Sequence, residues 1–321
     1  MHPRYLATLL LMGGWWFFSQ LPYSLLVQIA HLLAWGGPYF AKRRVFIIQR
    51  NLELCFPELS AGERQQLLKK NLFHTFLGGL EMGVVFFWPR KRLLKMGELH
   101  GLENLTCHQS GVLMLSLHNT TIDSAGAVVN PRVVQSDMMY RPHKNPVYEY
   151  FQLRGRERHN PHSRCIDRAD VRGAIKAMRQ GRWLWYAPDQ DYGIRQGIFA
   201  RFFGIEAASV TATARFARAA KVPVVPMVHY RDDNLRWQVE YGPALENFPT
   251  GDDQVDVQRI NDWVESVVRL RPEQYLWVHR RFKTRPPGAP PLYGRYSKGL
   301  GRPQPSASEG ASETVDSADK P

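Results

Sequence analysis

The sequence predicts an α/β protein in which helices flank a mostly parallel β-sheet. Short apolar runs that suit buried strands alternate with longer helical segments between residues 60 and 270. Such alternation is typical of a parallel sheet covered by helices on its faces. An uncharged segment near the N-terminus adds a predicted membrane-anchoring helix in front of this fold.

The predicted elements follow one another without internal repeats. Ser60 and Glu63 form a capping-box pattern that opens a long helix, and Pro89 ends it. The run GVLMLSL, bounded by turn-forming residues, predicts a buried strand immediately before His118. The other predicted strands are 132–140, 183–187, 222–229 and 235–241, the last at a sheet edge; the predicted helices are 61–87, the segment from 118 to about 130, the segment from 145, 167–180, 209–220 and 255–270.

Three segments are expected along the chain. Residues 5–21 carry no charge, and this length is the lower limit for crossing a bilayer. The basic residues 42–44 favour a main domain on the cytoplasmic side, although a buried helix of a soluble core is the alternative. We therefore expect a membrane anchor with an interfacial helix over 1–45, the main domain over 46–300 and a disordered polar tail over 301–321.

Composition narrows the classes of function. The formal net charge of +13 indicates an anionic partner, such as nucleic acid, an anionic membrane, a phosphorylated substrate or an acidic carrier protein. The three cysteines lie far apart and predict reduced thiols rather than a disulfide framework. The motifs of serine hydrolases, P-loop NTPases and zincins do not occur, so we expect neither a metal nor another cofactor.

The candidate catalytic residues are His118 and Asp123. On one continuous helix, side chains five residues apart point about 140° away from each other. They can meet if His118 lies in the loop at the end of a strand and Asp123 lies in the first turn of the helix that follows. Asp123 would then orient the imidazole, and His118 would take a proton from a hydroxyl group as general base.

Six further residues are candidates for substrate binding. Arg141 ends a predicted strand and is a candidate for stabilising an oxyanion or a phosphate, with Asn145 nearby in the same segment. Asp189 and Asp191 follow a buried strand and could orient Arg141 or another cation, or simply form a turn. Arg280 and Arg281 open a basic run that could bind anionic groups or form a solvated charge patch.

Several segments together resemble the lipid A biosynthesis lauroyl acyltransferase family of the HtrB/LpxL type, over about residues 3–293. The two longest are WYAPDxDYG from Trp185 and PEQYxWxHRRFKTRPxG from Pro272. Shorter ones are HPRY from His2, NLELCFPE from Asn51, FWP from Phe87 and YRP from Tyr140.

This resemblance implies a glycerolipid acyltransferase-like fold over 46–300 and an HxxxxD/E acyltransferase of the bacterial inner membrane. The implied reaction moves an acyl chain from acyl carrier protein to a hydroxyacyl chain of a Kdo-bearing lipid A precursor, with no nucleic acid involved. The basic run at Arg280 would then hold sugar phosphates or Kdo carboxylates. The acidic position is Glu in the lauroyl enzymes and Asp in the myristoyl enzymes, so Asp123 leaves the acyl-chain length open, whereas the other matching motifs favour a lauroyl chain.

Other classes of function remain at the level of sequence. A sibling enzyme of myristoyl or palmitoleoyl type, or one acting on another membrane lipid, would share the same motifs. A nucleic-acid-binding protein would suit the charge but lacks a recognition motif. An inactive membrane scaffold is disfavoured because both His118 and Asp123 are present.

Overall fold

A computed structural model describes residues 3–296, except Gln196 and the side chain of Arg295. The predicted tail over 301–321 lies outside the described residues. The helices are α1 Leu6–Ser19, α2 Tyr23–Phe40, α3 Lys42–Cys55, α4 Ala61–Phe87, α5 Arg90–Leu93, α6 Glu103–Thr106, α7 Ile122–Val129, α8 Pro146–Glu157, α9 Val171–Arg179, α10 Ala212–Ala220 and α11 Asp253–Leu270. The strands are β1 Gly97–His100, β2 Val112–Leu115, β3 Ser136–Tyr140, β4 Cys165–Asp167, β5 Trp183–Tyr186, β6 Gly197–Phe202, β7 Ile205–Val210, β8 Val224–Arg231 and β9 Trp237–Tyr241.

The main sheet has seven strands in the order β1-β9-β8-β2-β5-β3-β4. Every neighbouring pair is parallel except β8 and β9. Strand β2 at the centre is buried at all four positions, because helices cover both faces of a parallel sheet. The mixed α/β class with a mostly parallel sheet is therefore confirmed.

Three features of the sheet differ from the sequence prediction. Strand β4 was not indicated, and Asp167, which was expected to begin a helix, ends this strand. The strand expected at the edge, β9, is covered by the parallel strand β1, which the sequence did not indicate. Strands β6 and β7 form a separate antiparallel hairpin that packs on α11, and the first residues of the predicted helix 209–220 belong to this hairpin. Helix α10 therefore begins only at Ala212.

The N-terminal helices lie against the long helix α4. Helix α4 begins as predicted, because the Ser60 hydroxyl accepts from the Glu63 backbone and the Glu63 carboxylate accepts from the Ser60 backbone. Both α1 and α2 pack along α4 and leave apolar side chains in solvent on their outer face. Among the described residues, no helix combines the length and apolar character required to cross a bilayer, so the predicted spanning anchor is not confirmed.

Candidate active site

Polar residues converge at one edge of the sheet, where the parallel strands β2, β3, β4 and β5 have their carboxyl ends. His118 follows β2, Arg141 follows β3 and Asp189 follows β5. Because β5 lies between β2 and β3, residues far apart in sequence meet at this edge. Ligands of open α/β sheets bind at such an edge, so it is the expected position of a site.

His118 is held by Asp189. The Asp189 Oδ1 atom lies 2.7 Å from His118 Nδ1, and its Oδ2 atom accepts from the His118 backbone N–H at 3.0 Å. A carboxylate only accepts, so Nδ1 carries the proton and Nε2 of the neutral ring is the proton acceptor. The Tyr275 hydroxyl donates to Asp189 Oδ2 at 2.8 Å and completes the support. This arrangement suits a general base with a fixed tautomer.

The loop after His118 is fixed from strand β8. The Asn119 amide donates to the His229 carbonyl at 2.7 Å, and the His229 ring bonds Thr121 Oγ1 and the Leu117 carbonyl. Since a carbonyl only accepts, His229 Nε2 carries its proton and Nδ1 accepts from Thr121. Burial lowers the pKa of His229 to about 4, so this ring is neutral and acts as a rigid support.

Asp123 lies in the first turn of α7, as predicted, but its observed partner is Arg156 and not His118. The Arg156 Nε and Nη2 atoms donate to Asp123 Oδ1 at 3.0 and 2.8 Å. Burial opposes the charge of this guanidinium, but Asp123 outweighs it and raises the pKa of Arg156. The expected contact between Asp123 and the imidazole is thus corrected, because Asp189 occupies the Nδ1 side of the ring and Arg156 attracts the Asp123 carboxylate. Both Asp123 and Arg156 line the same cavity as His118.

A buried ion pair lies behind the loop. Arg231 on β8 donates to both carboxylate oxygens of Glu81 on α4, at 3.0 Å from Nε and 2.5 Å from Nη2. Arg231 also donates to the Thr120 hydroxyl and carbonyl, while the Ser124 hydroxyl donates to Glu81. The Tyr23 hydroxyl of α2 is a further donor to Glu81. The pair therefore connects an N-terminal helix to both sides of the candidate catalytic loop.

A cavity of about 730 Å³ opens in front of His118. This size is within the usual range for a small-molecule site. Its walls combine apolar side chains with a few convergent polar groups, as an acyl chain and a polar reaction centre require. Lining residues that bear on the chemistry are His118, Asp123, Arg141, Arg156, Trp185 and Tyr186.

The remaining candidate residues have different positions in the structure: one lines the cavity and two have structural contacts nearby. Arg141 lines the cavity at the end of β3, two strands away from β2. Asn145 is the N-cap of α8, where its Oδ1 accepts from Val147 and Tyr148, and its amide donates to Thr8 of α1. Asp191 is a turn former whose carboxylate accepts from Gly193 and Thr284. Asn145 and Asp191 therefore organise the surroundings of the site rather than its wall.

Arg280 and Arg281 do not form the solvated charge patch that the sequence left as the alternative to anion binding. Arg281 is buried, where it donates to the Ala208 carbonyl and the Ser209 hydroxyl at 2.8 and 2.7 Å. Arg280 is also buried and donates to the Tyr296 carbonyl. The interpretation of these two residues as substrate ligands is corrected, because their guanidinium groups donate hydrogen bonds to oxygen atoms inside the fold.

Sequence reasoning missed the partnership of His118 with Asp189, although it selected both residues. The signal was available in part: both follow buried strands, and adjacent parallel strands bring such residues together. Tyr275 and Arg156 had no comparable signal, since each reaches the site from an element whose position only the tertiary fold fixes.

Comparisons with known proteins decide the family. The sequence matches the bacterial lipid A biosynthesis acyltransferase family over residues 1–284. The chain belongs to this family. It is an acyltransferase, and the resemblance inferred from the motifs is confirmed.

Curated relatives carry three different acyl specificities in their names. The chain is 38% identical to the lipid A biosynthesis lauroyltransferase of Escherichia coli K12 over 91% of its own length and 96% of the relative. It is 37% identical to the lipid A biosynthesis palmitoleoyltransferase of the same organism, with the same two coverages. The lipid A biosynthesis myristoyltransferase of that strain is 30% identical over 79% of each chain.

Among solved structures, the 1-acyl-sn-glycerophosphate acyltransferase PlsC from Thermotoga maritima aligns with 78% of this acyltransferase chain and 99% of its own. The TM-score is 0.37 and the sequence identity is 12%.

Proposed function

We propose that this acyltransferase moves a lauroyl chain from acyl carrier protein to a hydroxyacyl chain of a Kdo-bearing lipid A precursor. The observation that carries the proposal is the Asp189–His118 pair at the wall of a partly apolar cavity. A fixed imidazole beside an apolar space is what ester formation between a hydroxyl and an acyl thioester requires.

The proposed reaction needs no covalent enzyme intermediate. His118 Nε2 accepts the proton of the acceptor hydroxyl as its oxygen attacks the thioester carbonyl carbon. The tetrahedral intermediate then collapses, the carbon–sulfur bond breaks, and the departing thiolate takes the proton from the imidazolium. Asp189 stabilises that imidazolium through Nδ1, as the carboxylate of a catalytic triad does.

Asp123 and Arg156 supply a second polar pair in the proposed site. Their ion pair lies on the cavity wall beside His118, so Asp123 keeps a proposed catalytic role through Arg156 rather than through the imidazole. Such a paired guanidinium is a suitable donor to a developing oxyanion. Arg141 stands about 10 Å from His118, two strand spacings along the edge, and we assign it to substrate binding.

The inner membrane, on its cytoplasmic face, is the proposed location. Helices α1 and α2 expose leucine and aromatic side chains, and the exposed basic residues 42–44 follow α2 directly. Helix α1 also contacts α8, whose residue Arg156 lines the cavity. A lipid substrate bound at that surface would therefore lie beside the site. An acidic acyl carrier protein suits the net charge of +13.

A transfer assay tests the proposal. The full chain in detergent receives tetra-acylated and penta-acylated Kdo-bearing precursors with acyl carrier proteins of several chain lengths, and products are weighed by mass spectrometry. We expect one lauroyl group to be added to the tetra-acylated precursor. His118→Ala should abolish the product, whereas His162→Ala, at an exposed histidine outside the cavity lining, should not.

A different added mass would keep the mechanism and replace lauroyl by a sibling specificity. The lauroyl and palmitoleoyl relatives differ by only one percentage point in identity, so the donor series decides this point. Absence of product with every donor, or full activity of His118→Ala, would refute the proposal.

A further inference from the structure

Three arginines line the same cavity as His118. Arg141 follows β3, Arg168 follows β4, and Arg195 lies in the loop after β5. The described residues include no carboxylate that forms an ion pair with any of the three. Their charges are therefore available to a ligand in the cavity.

Sheet register brings two of these arginines side by side. Tyr140 and Asp167 are paired across β3 and β4, so Arg141 and Arg168 are the next residues on adjacent strands. The Arg168 backbone N–H donates to the Tyr140 carbonyl at 2.8 Å and extends this pairing. The Arg168 guanidinium also lies 5.3 Å from the centre of the Tyr192 ring. Burial and the charge of Asp189 raise the pKa of the Tyr192 phenol, and the charges of Arg168 and Arg141 act against this shift. Tyr192 thus lines the cavity within the electrostatic reach of both arginines.

The position of the group defines a distance to the reaction centre. Strand β4 is three places from β2 in the sheet, and neighbouring strands lie about 4.8 Å apart. Arg168 therefore stands roughly 14 Å from His118 along the edge. The wall between them includes Met138, Trp185 and Tyr186. A ligand that spans the site would have a polar reacting group at one end and an anion at the other.

We propose that Arg141 and Arg168, with Arg195 on the same cavity wall, form a phosphate-binding subsite, and the proposal rests on the acyl-transfer function given above. Guanidinium groups match the geometry of phosphate oxygens, and three uncompensated positive charges in a concave site favour a multiply charged anion. The phosphate comes either from the glycolipid acceptor or from the phosphodiester of the pantetheine arm that carries the donor acyl group. Both place a phosphate at a distance from the reacting atoms, and experiment separates them.

Paired substrates test the subsite. KM is measured for acceptor with and without its phosphates, and for donor as an acyl phosphopantetheine or an acyl pantetheine. We expect Arg168→Ala to raise KM roughly tenfold for one phosphorylated substrate. The loss should not add to the loss caused by removing that phosphate from the substrate, because both changes delete the same interaction. Arg172→Ala, which removes an exposed charge outside the cavity lining, is the control and should leave KM unchanged.

Non-additivity with the acceptor phosphate supports the subsite and identifies the acceptor as its source; non-additivity with the donor phosphate supports it and identifies the donor. Additive losses for both substrates, or an unchanged KM in Arg168→Ala, overturn it.

Direct binding separates this proposal from the proposed function. Dodecyl phosphate, below its micelle concentration, is titrated into the full chain in neutral detergent. The subsite predicts a Kd about ten times higher for Arg168→Ala than for the wild type or Arg172→Ala. If no donor gives product but this difference is found, the subsite stands and the acyl-transfer proposal fails. Equal Kd values in all three proteins overturn the subsite even if the transfer reaction is confirmed.

Discussion

The carboxylate of Asp189 accepts hydrogen bonds from three groups at the candidate active site: the backbone and the ring of His118 and the hydroxyl of Tyr275. Burial alone would raise the pKa of Asp189. The charge of His118 and these hydrogen bonds outweigh burial and hold the pKa below its ordinary value. Asp189 is therefore ionised throughout the neutral range, and it favours the imidazolium that forms when His118 accepts a proton.

Replacing this carboxylate tests its role. We expect Asp189→Asn to lower kcat by roughly 10²- to 10⁴-fold, because an amide at this place can stabilise the wrong tautomer of His118 and cannot stabilise its charged form. Tyr275→Phe removes only one donor and should cost less than Asp189→Asn. The measurement is the rate of acyl transfer under saturating substrate, with thermal unfolding as a check that each variant folds.

Asp123→Asn is the comparison variant. It removes the partner of Arg156 but leaves the Asp189–His118 bond, so the pH at which activity falls on acidification should stay as in the wild type. An active Asp189→Asn together with an inactive Asp123→Asn would contradict the observed geometry and restore Asp123 as the orienting group.

At the scale of the elements, helix α4 sets the position of the loop that carries His118. Gly78 lies against this loop, and a Cβ atom added there would meet the Thr120 carbonyl oxygen at 2.3 Å. One turn away, Glu81 holds Arg231, which in turn holds Thr120. The contact between α4 and the loop is thus both close-packed and hydrogen-bonded.

We expect Gly78→Ala to reduce activity by at least about tenfold and to lower the unfolding temperature, because the backbone of the loop must move to admit the methyl group. Gly79→Ala is the matched control. Nothing lies within 4 Å of an added Cβ at Gly79, so this variant should be active and slightly more stable. Transfer rates and unfolding temperatures of the two variants, measured side by side, check the expectation. Equal behaviour would show that the loop tolerates displacement from α4.

Elements with a local signal were predictable, and elements fixed by tertiary pairing were not. The capping box defined the start of α4, Pro89 defined its end, and the apolar run before His118 defined β2. Strand β1 has only four residues, GELH, and exists because β9 pairs with it. For the same reason the sequence indicated Asp123 and Asp189 but not the residues that bind them. Arg156, which binds Asp123, lies on α8, and Tyr275, which donates to Asp189, lies in a segment after α11. The buried state of Arg281 also depends on the β6–β7 hairpin, which had no clear signal in the sequence.

For the molecule as a whole, buried and half-buried histidines make stability depend on pH. Burial lowers the pKa of His229 and His279 to about 4 and that of His74 to about 3, whereas an unfolded chain protonates histidine near 6.5. The unfolded state therefore binds more protons between these values. The stabilisation from neutral burial is complete above about pH 6.5 and is lost as the pH falls toward 4, by up to roughly 3 kcal/mol for one such residue.

Thermal unfolding in detergent at pH 7.5, 6.0 and 5.0 measures this effect. We expect the unfolding temperature to fall with pH, and to fall less steeply in His229→Gln, which has one buried histidine fewer. His162→Gln, at an exposed position, should keep the slope of the wild type. A slope unaffected by His229→Gln would show that this ring does not resist protonation in the folded state.

The N-terminal helices α1 and α2 expose large apolar and aromatic side chains to solvent. Trp35 and Tyr39 on α2 are 74% and 73% exposed, and Leu10 on α1 is 68% exposed. Large apolar side chains exposed in this number on a folded protein indicate a membrane or protein contact, and aromatic side chains favour the bilayer interface. The proposed lipid substrate and the adjoining basic residues 42–44 favour the membrane.

We expect the double variant Trp35→Ser and Tyr39→Ser to bind vesicles containing anionic phospholipid at least about tenfold more weakly, because two apolar side chains no longer enter the interface. The matched control is Leu270→Ser on α11, which removes a side chain that is 81% exposed on another element and should leave binding unchanged. Co-sedimentation at low and high salt gives the measurement, and the loss should persist at high salt because it is not electrostatic. Equal losses in the two variants would show that α2 has no special affinity for the bilayer. A loss confined to the α2 variant would place the membrane against the N-terminal helices, of which α1 contacts α8, the helix that carries Arg156 of the cavity wall.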